Sequence, residues 1–278
     1  MIFASDLDQT LIYSQPEDRA TELGSRILIA ELIDGKVRSY MSANSYHRLQ
    51  SLMKELTFIP VTTRTLKQYD RIHLISQMLQ PAYAVTSNGG NIVLNGQPDP
   101  EWHRAILARV QDSSVHVEEV RKLMDQVLHS DWVISSTYCD DLFFSHIVER
   151  DKIPQLEMRE LSEELQRLGW TTSIQGRKVY IVPKAVNKRD AVAHLKQIIG
   201  DEKIVASGDS LLDQILLDFA DYSLAPRHGE LFRQEQLQGT GAYTFTEESG
   251  IFATDEIIEY VQAVHNKHNP AFRIKESS

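Results

Sequence analysis

Ile2-Phe3-Ala4-Ser5-Asp6-Leu7-Asp8-Gln9-Thr10 decides how the rest of this chain is read. Four small or apolar residues, suited to a buried strand, run straight into two aspartates one residue apart. Strand side chains alternate faces, so carboxylates at i and i+2 point the same way where a strand ends. Two like charges ~4 Å apart, at an effective dielectric near 20, repel by roughly 4 kcal/mol. Such a pair needs a cation, a shared proton or full solvation. Taken alone, the stretch is either a reactive strand-end loop or a solvated turn in which Asp8 caps a helix.

Working outward, residues 11–40 give little periodic signal beyond a strand over 37–40 after the Asp34-Gly35 turn. Ser42 or Asn44 caps a helix that runs to residue 56, with Tyr46, Leu49, Met53 and Leu56 at helical spacing. Residues 58–61 form a short apolar strand ending in Thr62-Thr63-Arg64-Thr65. Leu66, Tyr69, Ile72, Ile75 and Leu79 share one face of the next helix, which Pro81 stops. A strand over 83–85 ends in Ser87-Asn88-Gly89-Gly90, and the apolar run 92–94 meets Asn95-Gly96, a tight-hairpin signal. Strand alternating with helix implies an α/β fold with a parallel sheet and helices on its faces. Ligands in such sheets gather beyond the carboxyl ends of the strands, where Asp6, Asp8, Thr62 and Asn88 all fall.

The pattern breaks at Gln97-Pro98-Asp99-Pro100, which reads as a linker. Helices are expected over 102–110, 117–128 and 154–168, the last stopped by Gly169. Paired strands are expected over 132–138 and 142–148 around Cys139-Asp140-Asp141, and over 170–174 and 178–182 across Gln175-Gly176-Arg177. This is an α+β module at residues 97–183, inserted in a core made of residues 1–96 and 184–278. The alternation then resumes: a helix over 187–199 closed by Gly200, a strand over 203–207, a helix over 211–219, a short strand over 222–224 and a last helix over 254–265. The tail after Asn269-Pro270 reads as loose.

Gly208-Asp209-Ser210-Leu211-Leu212-Asp213 repeats the logic of the first turn: a strand end, a glycine bend, two carboxylates four residues apart. With a helix starting near Ser210, Asp213 faces back towards Asp209. The plainer alternative makes Asp209 or Ser210 a helix cap. Two acidic strand ends in one sheet gather four aspartates in one crevice. Hard oxygen donors in that number suit Mg²⁺, which binds through a few carboxylates plus a phosphate. A phosphate there needs donors, and Thr62 offers a hydroxyl and loop N–H groups while Lys188 offers a full charge. Singly, Thr62 is equally a helix cap and Lys188 a surface lysine.

The rest of the composition excludes several classes. A formal net charge of −10 over 278 residues argues against a general nucleic-acid or acidic-membrane binder. The single Cys139 rules out an intrachain disulfide and a cysteine-based zinc site. No apolar run approaches the ~18 residues of a membrane span, and no basic segment followed by a long apolar one marks a signal peptide. The expectation is a cytoplasmic protein, a monomer or homodimer, whose partner is a small phosphorylated substrate.

The four segments Asp6-Leu7-Asp8-Gln9-Thr10, Val61-Thr62, Lys188 within Val186-Asn187-Lys188-Arg189-Asp190, and Gly208-Asp209-Ser210-Leu211-Leu212-Asp213 resemble the four ordered motifs of the haloacid dehalogenase-like (HAD) phosphohydrolases. The large insert resembles the C2-type cap, closest to the C2B form of subclass IIB. That resemblance implies a Rossmann-like core with an α+β cap, and a Mg²⁺-dependent phosphatase acting on a small metabolite such as a sugar phosphate through an aspartyl-phosphate. It implies that Asp6 is the nucleophile and Asp8 the general acid/base. It gives Thr62 and Lys188 to the phosphate, and Asp6, the Asp8 carbonyl, Asp209 and Asp213 to the metal. Thr10 would order the first loop. Asn88 resembles the asparagine of an Asn-Gly-Ala turn, and Thr63, Arg64, Asn88 and Arg177 are candidate substrate contacts. A phosphomutase or phosphotransferase on the same chemistry, and a non-catalytic sugar-phosphate binder, are the alternatives.

Departures from the family pattern are visible. Gln9 replaces a usual glycine, Thr63 occupies the glycine position of the second motif and competes with Thr62 for phosphate, Gly90 replaces an alanine, and Leu212 replaces a frequent asparagine. Arg64 either meets substrate or ties the cap to the core. Trp102, Trp132 and Trp170 are expected to anchor cap packing.

Overall fold

The computed structural model describes residues 1–14, 26–200, 202–239 and 241–269. It forms two compact units, Met1–Pro98 with Lys188–Ser278, and Asp99–Asn187. The tail after Asn269, expected to be loose, lies outside the described residues.

Strand β1 (Ile2–Ser5) is buried along its whole length. Strands β2 (Ile27–Ile33) and β3 (Lys36–Ser42) follow as an antiparallel hairpin around left-handed Asp34 and Gly35. The sequence gives no sign of β2, for a physical reason: a bulge between Ile29 and Glu31 breaks the alternation, so neighbours Ala30 and Glu31 are both buried. Ser42 caps α1 (Ala43–Leu52), accepting the Ser45 N–H. The helix stops at Leu52 rather than 56, and residues 53–56 wind on as turns.

After β4 (Thr57–Pro60) the predicted helix over 66–79 is broken. Helix α2 (Leu66–Asp70), with a Thr65/Gln68 capping box, is followed by a π-type turn, Leu74–Leu79, that ends at left-handed Gln80. Ser76 Oγ donates to the Asp70 and Ile72 carbonyls and Gln77 Nε2 to Asp70, so side chains compete for the helical acceptors. The apolar face Tyr69, Ile72, Ile75 and Leu79 is nevertheless buried. Strands β5 (Tyr83–Thr86), β6 (Asn91–Leu94) and β7 (Gln97–Pro98) form an antiparallel sheet, with Asn95 and Gly96 both left-handed in the tight turn. Gln97-Pro98 is thus paired strand, not free linker.

In the second unit Asp99 caps α3 (Pro100–Ser113), accepting the Glu101 and Trp102 N–H groups, with proline at the first helical position. Helix α4 (Val117–Met124), strands β8 (Val133–Cys139) and β9 (Phe143–Val148), helix α5 (Gln155–Arg167), and strands β10 (Trp170–Gln175) and β11 (Lys178–Pro183) follow. Their antiparallel sheet has the order β10-β11-β9-β8. Trp132 and Trp170 lie in this unit's core with Phe144, Leu161 and Leu165, and their indole N–H groups reach the Val127 and Val115 carbonyls. Asp140 and Asp141 form the β8–β9 turn, both left-handed.

The chain then returns to the first unit through α6 (Lys188–Ile199), β12 (Ile204–Ser207), α7 (Gln214–Phe219), β13 (Tyr222–Ser223), α8 (Glu230–Gln238) and α9 (Ile251–His268). Helix α7 begins at Gln214, not Leu211, and α8 has no counterpart in the sequence reading. The parallel sheet runs β13-β12-β1-β4, with Ala4 beside Ala206 on one side and Ile59 on the other. A single parallel bridge, Val61 to Val85, continues the sheet from the β4 end to β5. The carboxyl ends of β12, β1, β4 and β5 therefore line one edge. Among the described residues, no helix is long and apolar enough to cross a membrane.

Candidate active site

Asp6 follows β1 directly, and its N–H donates to the Ser207 carbonyl at 2.9 Å, which draws the first loop to the end of β12. From β12 the chain bends at Gly208, where a Cβ would lie 2.4 Å from Asp213 Cβ and Cγ. Only glycine lets the Asp213 carboxylate fold back so closely. Its Oδ2 accepts the Ser210 N–H at 2.9 Å and the Ser210 hydroxyl at 2.7 Å. Asp213 therefore returns to the strand end through a turn that precedes α7, not from within a helix.

Its other oxygen, Oδ1, accepts from Lys188 Nζ at 2.5 Å, and the same ammonium donates to Asp6 Oδ1 at 2.6 Å. Lys188 is 0% exposed. This overturns the surface-lysine alternative: α6 starts with its first side chain aimed into the sheet edge. Thr10 Oγ1 lies 3.4 Å from Asp6 Oδ2. Asp6, Asp209 and Asp213 each offer a carboxylate oxygen within 4.8 Å of the others.

The electrostatics follow from this crowding. Burial, with Asp213 and Asp8 nearby, pushes the Asp6 carboxyl up to about 7 against the opposing pull of Lys188. Burial, Asp6 and Asp213 hold Asp209 well above the usual carboxylate range. Burial works against the Lys188 ammonium, yet Asp213 and Asp6 outweigh it and raise its pKa. An all-oxygen, all-carboxylate donor set under mutual repulsion is the chemistry a hard divalent cation fits.

Asp8 stands apart from that trio. Arg64 grips it with one edge of the guanidinium, Nε to Oδ2 at 2.7 Å and Nη2 to Oδ1 at 2.8 Å, and gives Nη1 to Glu31 Oε2 at 2.8 Å. Arg71 Nε approaches Glu31 Oε1 at 3.4 Å. Arg64 thus binds within the first unit. Thr62 is buried, its N–H donates to Val85 and its carbonyl accepts from Asn88, while its hydroxyl accepts the Arg64 N–H at 3.1 Å. Its own N–H is therefore committed to the sheet. Thr63 is half-buried beside it. Asn88 is buried and left-handed, φ 56°, in the turn after β5. Arg177 lies exposed in the β10–β11 turn of the second unit.

Sequence reasoning misses Glu31 and the bracing role of Ser210. Glu31 sits in the unread strand, and nothing local marks it as buried. Ser210 carries a signal, since a hydroxyl three residues before an aspartate can close a side-chain turn.

Comparisons with known proteins address the family and the fold. The model of the sucrose-6F-phosphate phosphohydrolase family matches residues 1–225. No curated protein sequence matches the chain. Among solved structures, the sucrose-phosphatase of Synechocystis sp. PCC6803, crystallised with sucrose and phosphate, is 17% identical with a TM-score of 0.65, the match covering 94% of this chain and 98% of that one. The HAD subclass IIB sugar phosphatase BT4131 is 14% identical with a TM-score of 0.54 over 95% of this chain and 98% of that one. The haloacid dehalogenase-like hydrolase protein yhjK of Bacillus subtilis is 14% identical with a TM-score of 0.53, over 94% and 91%. At these identities the structural likeness is one of fold. The family model spans most of the sequence, and the chain belongs to the sucrose-6F-phosphate phosphohydrolase family.

Proposed function

We propose that this protein is a Mg²⁺-dependent sugar-phosphate phosphatase, with sucrose 6F-phosphate the first substrate to try. The observation that carries the reading is the cluster of buried Asp6, Lys188 and Asp213 with half-buried Asp209 at one edge of the parallel sheet, with Asp8 two residues beyond Asp6. Asp6, Asp209, Asp213 and the Asp8 backbone carbonyl would hold the cation, which offsets charge on the transferring phosphoryl group. Lys188 and the Thr62 or Thr63 hydroxyl would hold the phosphate oxygens, and Asn88 would set the loop around them.

Asp6 attacks phosphorus with a carboxylate oxygen as the P–O bond to the sugar breaks. The sugar oxygen leaves with a proton from Asp8. Water then attacks the aspartyl-phosphate, Asp8 takes its proton, and the bond to Asp6 breaks to release inorganic phosphate. Arg64 donates to both Asp8 oxygens, an arrangement that suits the base of the second step. Serving as the acid requires the guanidinium to let one oxygen go.

Phosphate release from a panel of sugar phosphates, with and without Mg²⁺, tests the reading. Asp6→Asn keeps the shape and removes the attacking charge, so turnover should vanish while the circular dichroism spectrum stays unchanged. Near wild-type hydrolysis in that variant would sink the assignment.

A further inference from the structure

Gln9 adopts φ 64° immediately after Asp8. A residue bearing a Cβ is strained there, and the position favours glycine. The surroundings hold it in place. Its N–H donates to the Ile12 carbonyl at 2.8 Å, and its own carbonyl lies 2.9 Å from Nε2 of His228, 219 residues on. The other ring nitrogen, Nδ1, accepts the Gly250 N–H at 3.0 Å. A neutral imidazole with Nδ1 accepting must carry its hydrogen on Nε2, which therefore donates to Gln9. The next carbonyl, Thr10, is held as well, by Tyr13 Oη and Thr254 Oγ1, each at 3.0 Å. The His228 ring lies 5.7 Å from that of Tyr13.

The residues after His228 touch the other acidic loop. A Cβ on Gly229 would lie 2.4 Å from the Asp209 carbonyl oxygen, and the Leu231 N–H donates to that same oxygen at 3.0 Å. One short segment thus braces the turn carrying Asp8 and the loop carrying Asp209.

We propose that His228 is a positioning residue: through Gln9 it fixes the backbone of the nucleophile loop in a left-handed turn that this sequence does not give to glycine, and it ties that turn to Asp209. The inference rests on the phosphatase reading for the meaning of the loop. His228 itself touches neither substrate nor cation.

The test uses the full chain with p-nitrophenyl phosphate as probe, and Mg²⁺ affinity by calorimetry on the substrate-free protein. His228→Gln keeps a donor near the Nε2 position, while His228→Asn keeps only an acceptor near Nδ1. His228→Asn and His228→Ala should lower kcat at least tenfold with little change in KM, and weaken Mg²⁺ at least threefold, whereas His228→Gln stays within threefold of wild type in both. Placing Gln9→Gly beneath His228→Ala should shrink both penalties to threefold or less, because glycine holds the turn unaided. Equal penalties with and without the Gln9→Gly change, or equal behaviour of the Gln and Asn variants, would overturn the proposal. If His228→Ala does not fold, the Gln and Asn pair decides. If the wild type hydrolyses nothing, the phosphatase reading fails, and the Mg²⁺ affinities across the same variants still decide the role of His228.

Discussion

Replacing Arg64 by methionine separates the stability of this site from its chemistry. Arg64 serves two carboxylates of different exposure: the Glu31 side chain is 3% exposed and that of Asp8 37%. Removing one partner of a buried ion pair costs about 3–5 kcal/mol, because a charge is left stranded. An exposed pair contributes only about 0–1 kcal/mol, since water takes over. Nearly all of the destabilisation in Arg64→Met should therefore come from Glu31, and the remaining contact from Arg71 places the loss near the low end, about 3 kcal/mol. Adding Glu31→Gln removes the stranded charge, so the double variant should regain all but about 1 kcal/mol in urea unfolding. Activity should not follow. With its fork gone, Asp8 loses orientation, and a misplaced general acid is worth roughly 10²–10⁴ in rate. That loss should appear on a sugar phosphate, whose alkoxide needs a proton, and hardly at all on p-nitrophenyl phosphate, whose leaving group does not. A double variant as unstable as the single one would refute the assignment of the cost to Glu31. Equal losses on the two substrates would refute the link to proton transfer.

Lys188→Met leaves Asp6 and Asp213 without their shared ammonium, so urea unfolding in EDTA should show a loss of about 3–5 kcal/mol and hydrolysis should fail; an unchanged midpoint would contradict the pairing. In the second unit, burial lowers His146 from 6.5 to about 4, so the unfolded chain takes up the proton first as pH falls. The stability tied to neutral His146 is complete above pH 6.5 and disappears between 6.5 and 4, about 3 kcal/mol in all. His146→Leu should flatten that part of the stability–pH curve, and a slope equal to wild type would count against the shift.

What the sequence makes legible is what chemistry makes improbable by chance. Paired carboxylates at Asp6/Asp8 and Asp209/Asp213, each straight after a short apolar run, demand a strand end and a counter-charge. The structure brings Asp6, Lys188, Asp209 and Asp213 together there. The tight turns at Asn95-Gly96 and Gly169 are equally local, because a left-handed backbone restricts residue type. The illegible parts depend on distant residues. Glu31 looks like any surface glutamate until Arg64 and Arg71 are set beside it. Helix α8 has no continuous apolar face, and Leu237 within it is 88% exposed. The break after α2 comes from Ser76 and Gln77 competing for carbonyls, which periodicity does not register.

The charges in the cleft also order the events it can support. Fully ionised, Asp6, Asp209 and Asp213 set three negative charges against the one ammonium of Lys188. A phosphate dianion approaching that set meets net repulsion, strengthened by the low local dielectric. Two of the three Lys188 N–H groups are already directed at carboxylates, and the same carboxylates offset its charge, so its pull on the ester is weakened. Charge balance therefore requires the trio to take up positive charge before the ester arrives, as protons on the raised Asp6 and Asp209 carboxyls or, in the proposed mechanism, as a bound cation. It also accounts for the separate tether on Asp8. A fourth carboxylate turned into the cluster would deepen the repulsion, whereas Arg64 holds it aside where it is partly open to solvent and can exchange a proton. In the proposed mechanism the attacking and proton-carrying carboxylates are thus kept distinct by different cations, Lys188 for Asp6, shared with Asp213, and Arg64 for Asp8.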